Sequence, residues 1–268
     1  MEFRQKALSK LRSPDELDLP VRFARPQHLL VLAVTLVVVA VAGVWAVTGT
    51  VSSKLDVPGV LTHAQGSYVL QSPLAGQVVD VRAKEGDSLP AGAPLLSLRT
   101  GTGVRPVRTV AAGRVVSLSA GIGAVVSVGA DVATVERVAR TGDPLVAVLY
   151  VPDGGASAIP VGAAVDLTVQ SVPARSFGRL HGTVTAVGGE PQTPRQITGF
   201  LGDSRLGEAF SAKGTPVAVT VRLDRSAGTP SGYDWSSQAG PPYRLSSMTT
   251  VSGSVHLSAQ RPIDWLLP

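Results

Sequence analysis

The feature that most restricts the fold of this chain is a duplicated unit rich in glycine and valine. Residues 72–98 read SPLAGQVVDVRAKEGDSLPAGAPLLSL, and residues 109–135 read TVAAGRVVSLSAGIGAVVSVGADVATV. A shift of 37 positions, without a gap, superimposes Gly76, Gly86 and Gly92 on Gly113, Gly123 and Gly129. Each half predicts a strand, a turn and a second strand, and neither half is long enough to close a core alone. The repeat therefore predicts a flattened barrel or sandwich of two interlocked hairpins.

The composition favours a chain of many short strands. The 268 residues include 29 Gly and 20 Pro but only 4% aromatic residues, which argues against a helical bundle. Cysteine is absent, which excludes a disulfide framework and a thiolate metal site. The net charge is +5, but the basic residues are scattered and do not alternate with aromatics. We therefore predict no nucleic-acid binding.

One uncharged stretch predicts a membrane-spanning helix. Residues 29–47 read LLVLAVTLVVVAVAGVWAV, and at about 1.5 Å per residue this length approaches the thickness of the hydrocarbon core. The segment at 40–42 also resembles a signal-peptide cleavage site, but the apolar run exceeds a typical signal-peptide core, so we expect a retained anchor. Residues 1–27 hold six Lys or Arg, and the first twenty residues after the span hold only Lys54. This asymmetry predicts a cytoplasmic N-terminus and an exported body in the cytoplasmic membrane of the cell.

The N-terminal stub contains candidate contacts with a membrane partner. Phe3, Leu8 and Leu11 recur at helical spacing among basic residues, which predicts a short amphipathic helix that ends before Pro14. Three interpretations stay open: the helix lies on the inner leaflet, it docks on the cytoplasmic part of a membrane partner, or the stub is a positive tail that only sets topology.

The predicted span contains four further candidate contacts with such a partner. Gly43 lets another helix approach closely, although position 47, four residues later, is not small. Ala40 adds a second small side chain, and Leu36 and Trp45 complete the candidate set. An indole near the end of a span also suits the membrane interface.

The second half of the chain predicts more β-structure with a helical interruption. Strand patterns occur within 143–170 and 177–189, and two short helices broken at Gly202-Asp203 are expected near 194–212. The stretch YDWSSQAGPPY then clusters Tyr233, Trp235 and Tyr243 in a proline- and glycine-rich loop. This aromatic loop is either a binding surface or the plug at the end of a small barrel.

Sequence patterns of enzymes and metal sites do not emerge. The four histidines are isolated in the sequence and form no grouping with aspartate, so a metal site is not predicted. No nucleophile elbow occurs. Asp87, in the triplet EGD, is predicted to be a turn aspartate that accepts hydrogen bonds from nearby backbone N–H groups. We expect neither an enzyme nor a cofactor.

The repeated unit resembles the biotinyl/lipoyl-like domain. The resemblance rests on a small residue, glycine and valine at the first turn, followed by the pattern V.EGD.V..G..L. In carrier proteins of this fold, a lysine at the tip between the halves takes biotin or lipoate. The connector here, RTGTGVRPVR at 99–108, has no lysine, and Lys84 lies inside the first half. A swinging-arm carrier, which would show a mass increment on Lys84, is therefore disfavoured.

A single span followed by such a domain and more β-structure resembles the HlyD-type membrane fusion proteins, the periplasmic adaptors of export machines. Their connector usually holds a long helical hairpin, which a ten-residue connector without heptads cannot form. The stretches FRQKALSKLRSPDELD, FLGDSRLGEAF, SGYDWSSQAGPP and QRPI..LLP resemble, more narrowly, the secretion proteins of NHLM-type bacteriocin systems. Arg99, Arg105 and Arg108 of the connector are candidate conduit or subunit contacts, with a solvated tip as the alternative.

The expected fold is mainly β: an N-terminal transmembrane helix, a lipoyl-like β domain without a coiled-coil hairpin, and a β-barrel domain. The expected divisions are a cytoplasmic stub at 1–27, a membrane helix at 28–50, linking strands at 51–71, the lipoyl-like domain at 72–135, and the barrel and membrane-proximal domain at 136–268. The resemblance implies a non-enzymatic adaptor of an ABC-type peptide or bacteriocin exporter, including the peptidase-containing type. It also implies a homo-oligomeric collar and an exported peptide as cargo.

One alternative from a different class stays open. A protein anchored outside the membrane could instead bind or modify the cell wall. That hypothesis predicts a cleft with converging polar groups, or glycan binding by the loop around Trp235.

Overall fold

The structure, a computed structural model, describes residues 26–48, 53–138, 142–152 and 154–257. The described residues belong to two units, an N-terminal helix and a β-rich body. The helix, α1, spans Pro26–Thr48. Its segment Leu29–Thr48 is apolar and long enough to cross a membrane.

The body contains short strands that are joined by turns and a few short helices. The described strands are β1 (Lys54–His63), β2 (Ser67–Gln71), β3 (Gly76–Val81), β4 (Ser88–Leu89), β5 (Pro94–Thr100), β6 (Gly103–Arg108), β7 (Gly113–Leu118), β8 (Val125–Val126), β9 (Asp131–Arg137), β10 (Leu145–Val151), β11 (Ala164–Val169), β12 (Leu180–Pro191), β13 (Val217–Leu223) and β14 (Thr249–His256). The described helices of the body are a 3-10 turn (Ala156–Ala158), α2 (Ala174–Phe177), α3 (Pro194–Leu201) and α4 (Ser204–Ser211).

Strands β2 to β9 form a sandwich of two four-stranded sheets. The strand orders are β2-β9-β7-β4 and β6-β5-β3-β8. The short strand β4 of the first half pairs with β7 of the second half, and β8 of the second half pairs with β3 of the first. The halves are therefore interlocked, and each completes a sheet of the other. Residues such as Leu95, Leu98, Val132 and Val135 fill the shared core and are fully buried.

The repeated glycines have the same structural role in both halves. A Cβ on Gly76 would lie 2.5 Å from the carbonyl oxygen of Arg99, and a Cβ on Gly113 would lie 2.2 Å from that of Glu136. Arg99 and Glu136 are themselves 37 positions apart. Both glycines thus allow the first strand of a half to approach the last strand closely, which explains why the repeat retains them.

The remaining six strands close into an antiparallel barrel in the order β1-β10-β13-β12-β11-β14. Buried and more exposed positions alternate along β11 and β13, as expected for strands with one face in a barrel interior. Leu149, Leu167, Leu180 and Val221 are fully buried members of this core. Strand β1 ends at His63 beside the sandwich, and the chain returns to the barrel after β9.

The two helices of the segment near 194–212, α3 and α4, cover part of the outer face of the barrel. Gly202 separates them in a left-handed conformation with φ of 74°, and the Asp203 carboxylate accepts hydrogen bonds from the first backbone N–H groups of α4. Ile197 and Leu201 pack with Tyr150 of β10, all of them buried. These contacts give the barrel a second, smaller apolar cluster outside its interior.

The architecture confirms the predicted fold class: mainly β, with an N-terminal apolar helix, a lipoyl-like sandwich and a barrel. Strands β5 and β6 are joined by the two residues 101 and 102, so between residues 94 and 108, all of them described, no helical hairpin separates the halves. The prediction for Asp87 is also confirmed, because its carboxylate accepts a hydrogen bond of 2.8 Å from the backbone N–H of Lys84.

Candidate functional site

The candidate contacts within the span share one face of α1 with a single exception. At 3.6 residues per turn, Leu36, Ala40 and Gly43 lie within about 60° of one another around the helix, and Trp45 lies about opposite Leu36. Leu36 and Trp45 are exposed in this structure, and nothing occupies the 4 Å around the position of a Cβ on Gly43. The first three residues therefore form a shallow surface that a second apolar helix could contact. The candidates Phe3, Leu8 and Leu11, and the predicted stub helix, lie outside the described residues.

The three connector arginines differ in their surroundings. Arg99 ends the core part of β5 and pairs with Val104, and Arg105 pairs with Leu98. Their guanidinium groups are exposed and make no hydrogen bond or ion pair with another described residue. Arg108 instead donates a hydrogen bond of 2.8 Å from Nη1 to the carbonyl oxygen of Gly92. Arg99 and Arg105 are thus available to a partner, whereas Arg108 also braces its own turn.

The aromatic loop contributes mainly to the barrel. Trp235 is only 5% exposed, belongs to the barrel core and donates from Nε1 to Ser231 Oγ at 2.9 Å. Tyr233 accepts a hydrogen bond from the backbone N–H of Leu145 through its hydroxyl. Tyr243 is the most exposed of the three aromatics, and its hydroxyl donates to the carbonyl oxygen of Ser171. The indole of Trp235 offers no exposed face on which a sugar ring could stack.

One end of the sandwich carries an apolar patch that the sequence analysis missed. Ile122, Val125 and Val128 are between 67% and 81% exposed, and they lie on or beside the edge strand β8. The corresponding positions of the first half, 37 residues earlier, hold Glu85, Ser88 and Ala91. We name Ile122, Val125 and Val128 the β8 patch. A comparison of the two halves could have found this patch. The repeat predicts that corresponding positions are equally exposed, yet the second half has large apolar residues where the first half has polar or small ones.

Three of the histidines that are isolated in the sequence, His63, His181 and His256, each contact a carboxylate in the structure. His181 Nδ1 lies 3.1 Å from Asp166 Oδ1, and His256 Nε2 lies 2.8 Å from Asp166 Oδ2. Lys54 Nζ lies 3.8 Å from the same carboxylate. The histidines are therefore isolated only in the sequence. The expectation that they form no grouping with aspartate is wrong for the folded chain, because two of them contact Asp166. Among the described residues, no group of three or more His, Cys, Asp or Glu side chains is arranged to hold a metal ion.

Strand pairing creates this polar cluster on the outer face of the barrel. Asp166 lies on β11, between His181 on β12 and Ser254 on β14, and His256 pairs with Lys54 of β1. Burial alone would raise the pKa of Asp166, but the hydrogen bonds and charges of the two histidines outweigh it and hold that pKa below its ordinary value of 3.8. The ionised form of Asp166 is thus the form that this surface stabilises.

Replacement of Asp166 by asparagine is expected to destabilise the body by about 1 kcal/mol at neutral pH, because the partners are partly solvated. Since the folded pKa is lowered, the carboxylate stabilises the fold above pH 3.8, and this contribution disappears as the pH falls below that value. The melting temperature of Asp166→Asn should therefore approach that of the unmodified protein in acid. Asp80→Asn, at an exposed pair with Arg82, is the control. An equal loss in both variants at neutral pH would contradict this role.

The fold is shared with solved structures, whereas no family profile and no curated protein matches the sequence. ZneB from Cupriavidus metallidurans aligns with a TM-score of 0.51 at 14% identity, over 78% of this chain and 100% of that chain. MacA from Actinobacillus actinomycetemcomitans aligns with a TM-score of 0.51 at 8% identity, over 80% and 81% of the two chains. A MacA–MexA chimera that contains the Pseudomonas aeruginosa MexA α-hairpin domain gives 0.51 at 9% identity, over 80% and 84%. The chain therefore has the fold of ZneB and MacA.

Proposed function

We propose that this protein is a non-enzymatic adaptor subunit of an exporter in the cytoplasmic membrane. The observation that carries the proposal is the combination of one membrane-length apolar helix with a barrel and a lipoyl-like sandwich, the fold shared with ZneB and MacA. The resemblance of the sequence to HlyD-type membrane fusion proteins supports the same role. In this proposal the stub is cytoplasmic, as the positive-inside rule predicts, and the body lies outside the membrane.

The exporter is proposed to be an ABC-type transporter of peptides or bacteriocins. Support comes from the resemblance to the secretion proteins of NHLM-type bacteriocin systems, which extends along nearly the whole chain. The adaptor would contact the transporter through the face of α1 formed by Leu36, Ala40 and Gly43, and through Phe3, Leu8 and Leu11 of the stub. Energy for transport would come from the transporter, which binds the nucleotide.

The body is proposed to form an oligomeric collar above the transporter. Two surfaces support this step. The β8 patch exposes three large apolar side chains at one sheet edge, and exposed apolar clusters commonly mark interaction sites. The exposed guanidinium groups of Arg99 and Arg105 lie on the outer hairpin β5–β6. Because this hairpin turns at only two residues, the collar would be short and would not extend through a helical tube.

The proposal predicts that a transporter co-purifies with this protein from its own host in a mild detergent. Ala40→Phe should reduce the yield of the co-purified transporter severalfold, because a bulky ring prevents close approach on the proposed face. Val38→Phe is the matched control, since position 38 lies on the opposite side of α1 and its side chain is likewise exposed. The readout is mass spectrometry of the affinity-purified complex, with membrane content of each variant measured in parallel.

Two outcomes would contradict the proposal. The first is a strictly monomeric protein without any transporter, purified at native expression level. The second is binding of the body to purified peptidoglycan without a transporter, which would favour the cell-wall alternative. An equal loss in Ala40→Phe and Val38→Phe would contradict the assignment of the helix face.

A further inference from the structure

A cavity of about 450 Å³ opens at the end of the barrel that adjoins the sandwich. The sandwich contributes Arg114 of β7 to its wall, and the barrel contributes Leu145 at the start of β10. Tyr233 and Arg225, from the segment after β13, form another side, and Arg244, from the segment before β14, completes it. The volume lies in the range of sites that take small ligands or short peptide segments.

The wall of this cavity carries an excess of positive charge. Arg114, Arg225 and Arg244 come from three separate parts of the chain, and each is exposed. Their guanidinium groups make no hydrogen bond or ion pair with another described residue. Asp143 also lines the cavity, but it is already engaged in an interaction of its own. Like charges around one cavity repel one another, and an anionic ligand would remove this repulsion.

A buried acid beside the cavity bonds to the end of β1 and not to the arginines. Glu136 is fully buried, and its Oε1 lies 2.8 Å from Nδ1 of His63, which lines the cavity. The same oxygen accepts hydrogen bonds from Thr62 Oγ1 and from the backbone N–H of His63. Oε1 of this carboxylate is thus committed to the end of β1, and Oε2 is buried without a hydrogen-bond partner among the described residues, so the three guanidinium groups remain available to a ligand.

The rest of the wall favours a ligand with apolar parts. Val138, Pro144, Leu145, Pro230 and Leu245 also line the cavity. A free phosphate ion is strongly hydrated and gains nothing from such surfaces, whereas an acidic peptide presents both carboxylates and apolar side chains. Arginine forks match carboxylates in bidentate geometry.

We propose that this junction cavity binds an acidic peptide segment, with carboxylates on Arg114, Arg225 and Arg244. Because Arg114 belongs to the sandwich and the other two arginines belong to the barrel side, the bound segment would link the two parts. The identification of the segment with exported cargo rests on the proposed function. The argument that the cavity binds an acidic peptide rests only on the charge and shape of the cavity.

The test is fluorescence anisotropy on the full-length protein in detergent. The probe is a short fluorescent peptide in which glutamate alternates with leucine, and the comparison peptide has glutamine at each glutamate. We expect the acidic peptide alone to bind, with an affinity that falls as salt rises. Removal of one charge-assisted pair should weaken binding by about tenfold, so the double variant Arg225→Gln/Arg244→Gln should weaken it further.

The matched control is Arg175→Gln/Arg195→Gln, which removes the same charge from exposed positions away from the cavity and should bind the peptide normally. Equal binding to both double variants would overturn the proposal, as would equal binding of both peptides. Competition by inorganic phosphate at the peptide's own concentration would overturn the assignment to a peptide. If the peptide binds but no transporter co-purifies, the result would contradict the proposed function only. If a transporter co-purifies but the peptide does not bind, the result would contradict this inference only.

Discussion

Replacement of Leu149 by alanine is expected to lower the free energy of unfolding of the body by about 2–5 kcal/mol. Leu149 lies on β10 and is fully buried in the barrel. Its side chain reaches the backbone of two other strands: a Cβ built on Gly59 of β1 or on Gly253 of β14 would lie within 2.7 Å of a Leu149 methyl group. A single side chain therefore fills the space that two glycines leave open.

The size of this effect follows from the glycines. After truncation, neither Gly59 nor Gly253 has a side chain that could move into the cavity, so we expect a value in the upper half of the range. The measurement is thermal or urea unfolding of the full-length protein in detergent, followed by circular dichroism. Val161→Ala, at a position that is 66% exposed, is the control and should change stability little. Equal stability of the two variants would mean that the barrel interior is not packed as described.

Replacement of Glu136 by alanine is expected to lower the free energy of unfolding of the body by about 3 kcal/mol or more. The change removes the acceptor of the Thr62 hydroxyl and of the His63 backbone N–H, and it also removes the partner of the His63 ring. All three residues are buried at the junction of β1 and β9. The loss should therefore exceed that of an exposed acid, and Glu190→Ala on β12 is the control.

The pH dependence of Glu136→Ala provides a second readout. Burial alone would raise the pKa of Glu136, but hydrogen bonds from His63 and Ser247 and the charge of His63 outweigh it, and the pKa lies below its ordinary value of 4.5. The carboxylate thus stabilises the fold above pH 4.5, and the contribution is lost as the pH falls below that value. The difference in melting temperature between the variant and the unmodified protein should shrink in acid. A difference that grows in acid would contradict this assignment.

Several parts of this protein depend only on local pattern along the chain and could therefore be predicted. The glycines of the repeat predicted a duplicated strand unit, and Gly76 and Gly113 prove to be sites where a strand approaches too closely for any side chain. The uncharged stretch predicted α1, since length and composition suffice for a span. The short connector excluded a helical hairpin, because ten residues cannot form one.

Contacts between residues on different strands could not be predicted in this way and follow from the fold. Asp166, His181 and His256 are far apart in the sequence, and the antiparallel register of β12, β11 and β14 brings them together. The same closure buries Trp235 in the barrel. The composition of the loop around it had left both a binding surface and a barrel plug as alternatives. Arg114, Arg225 and Arg244 likewise line one cavity only because the sandwich adjoins the barrel end. Strand register and barrel closure depend on long-range pairing, and a local sequence pattern does not identify the strand with which it pairs.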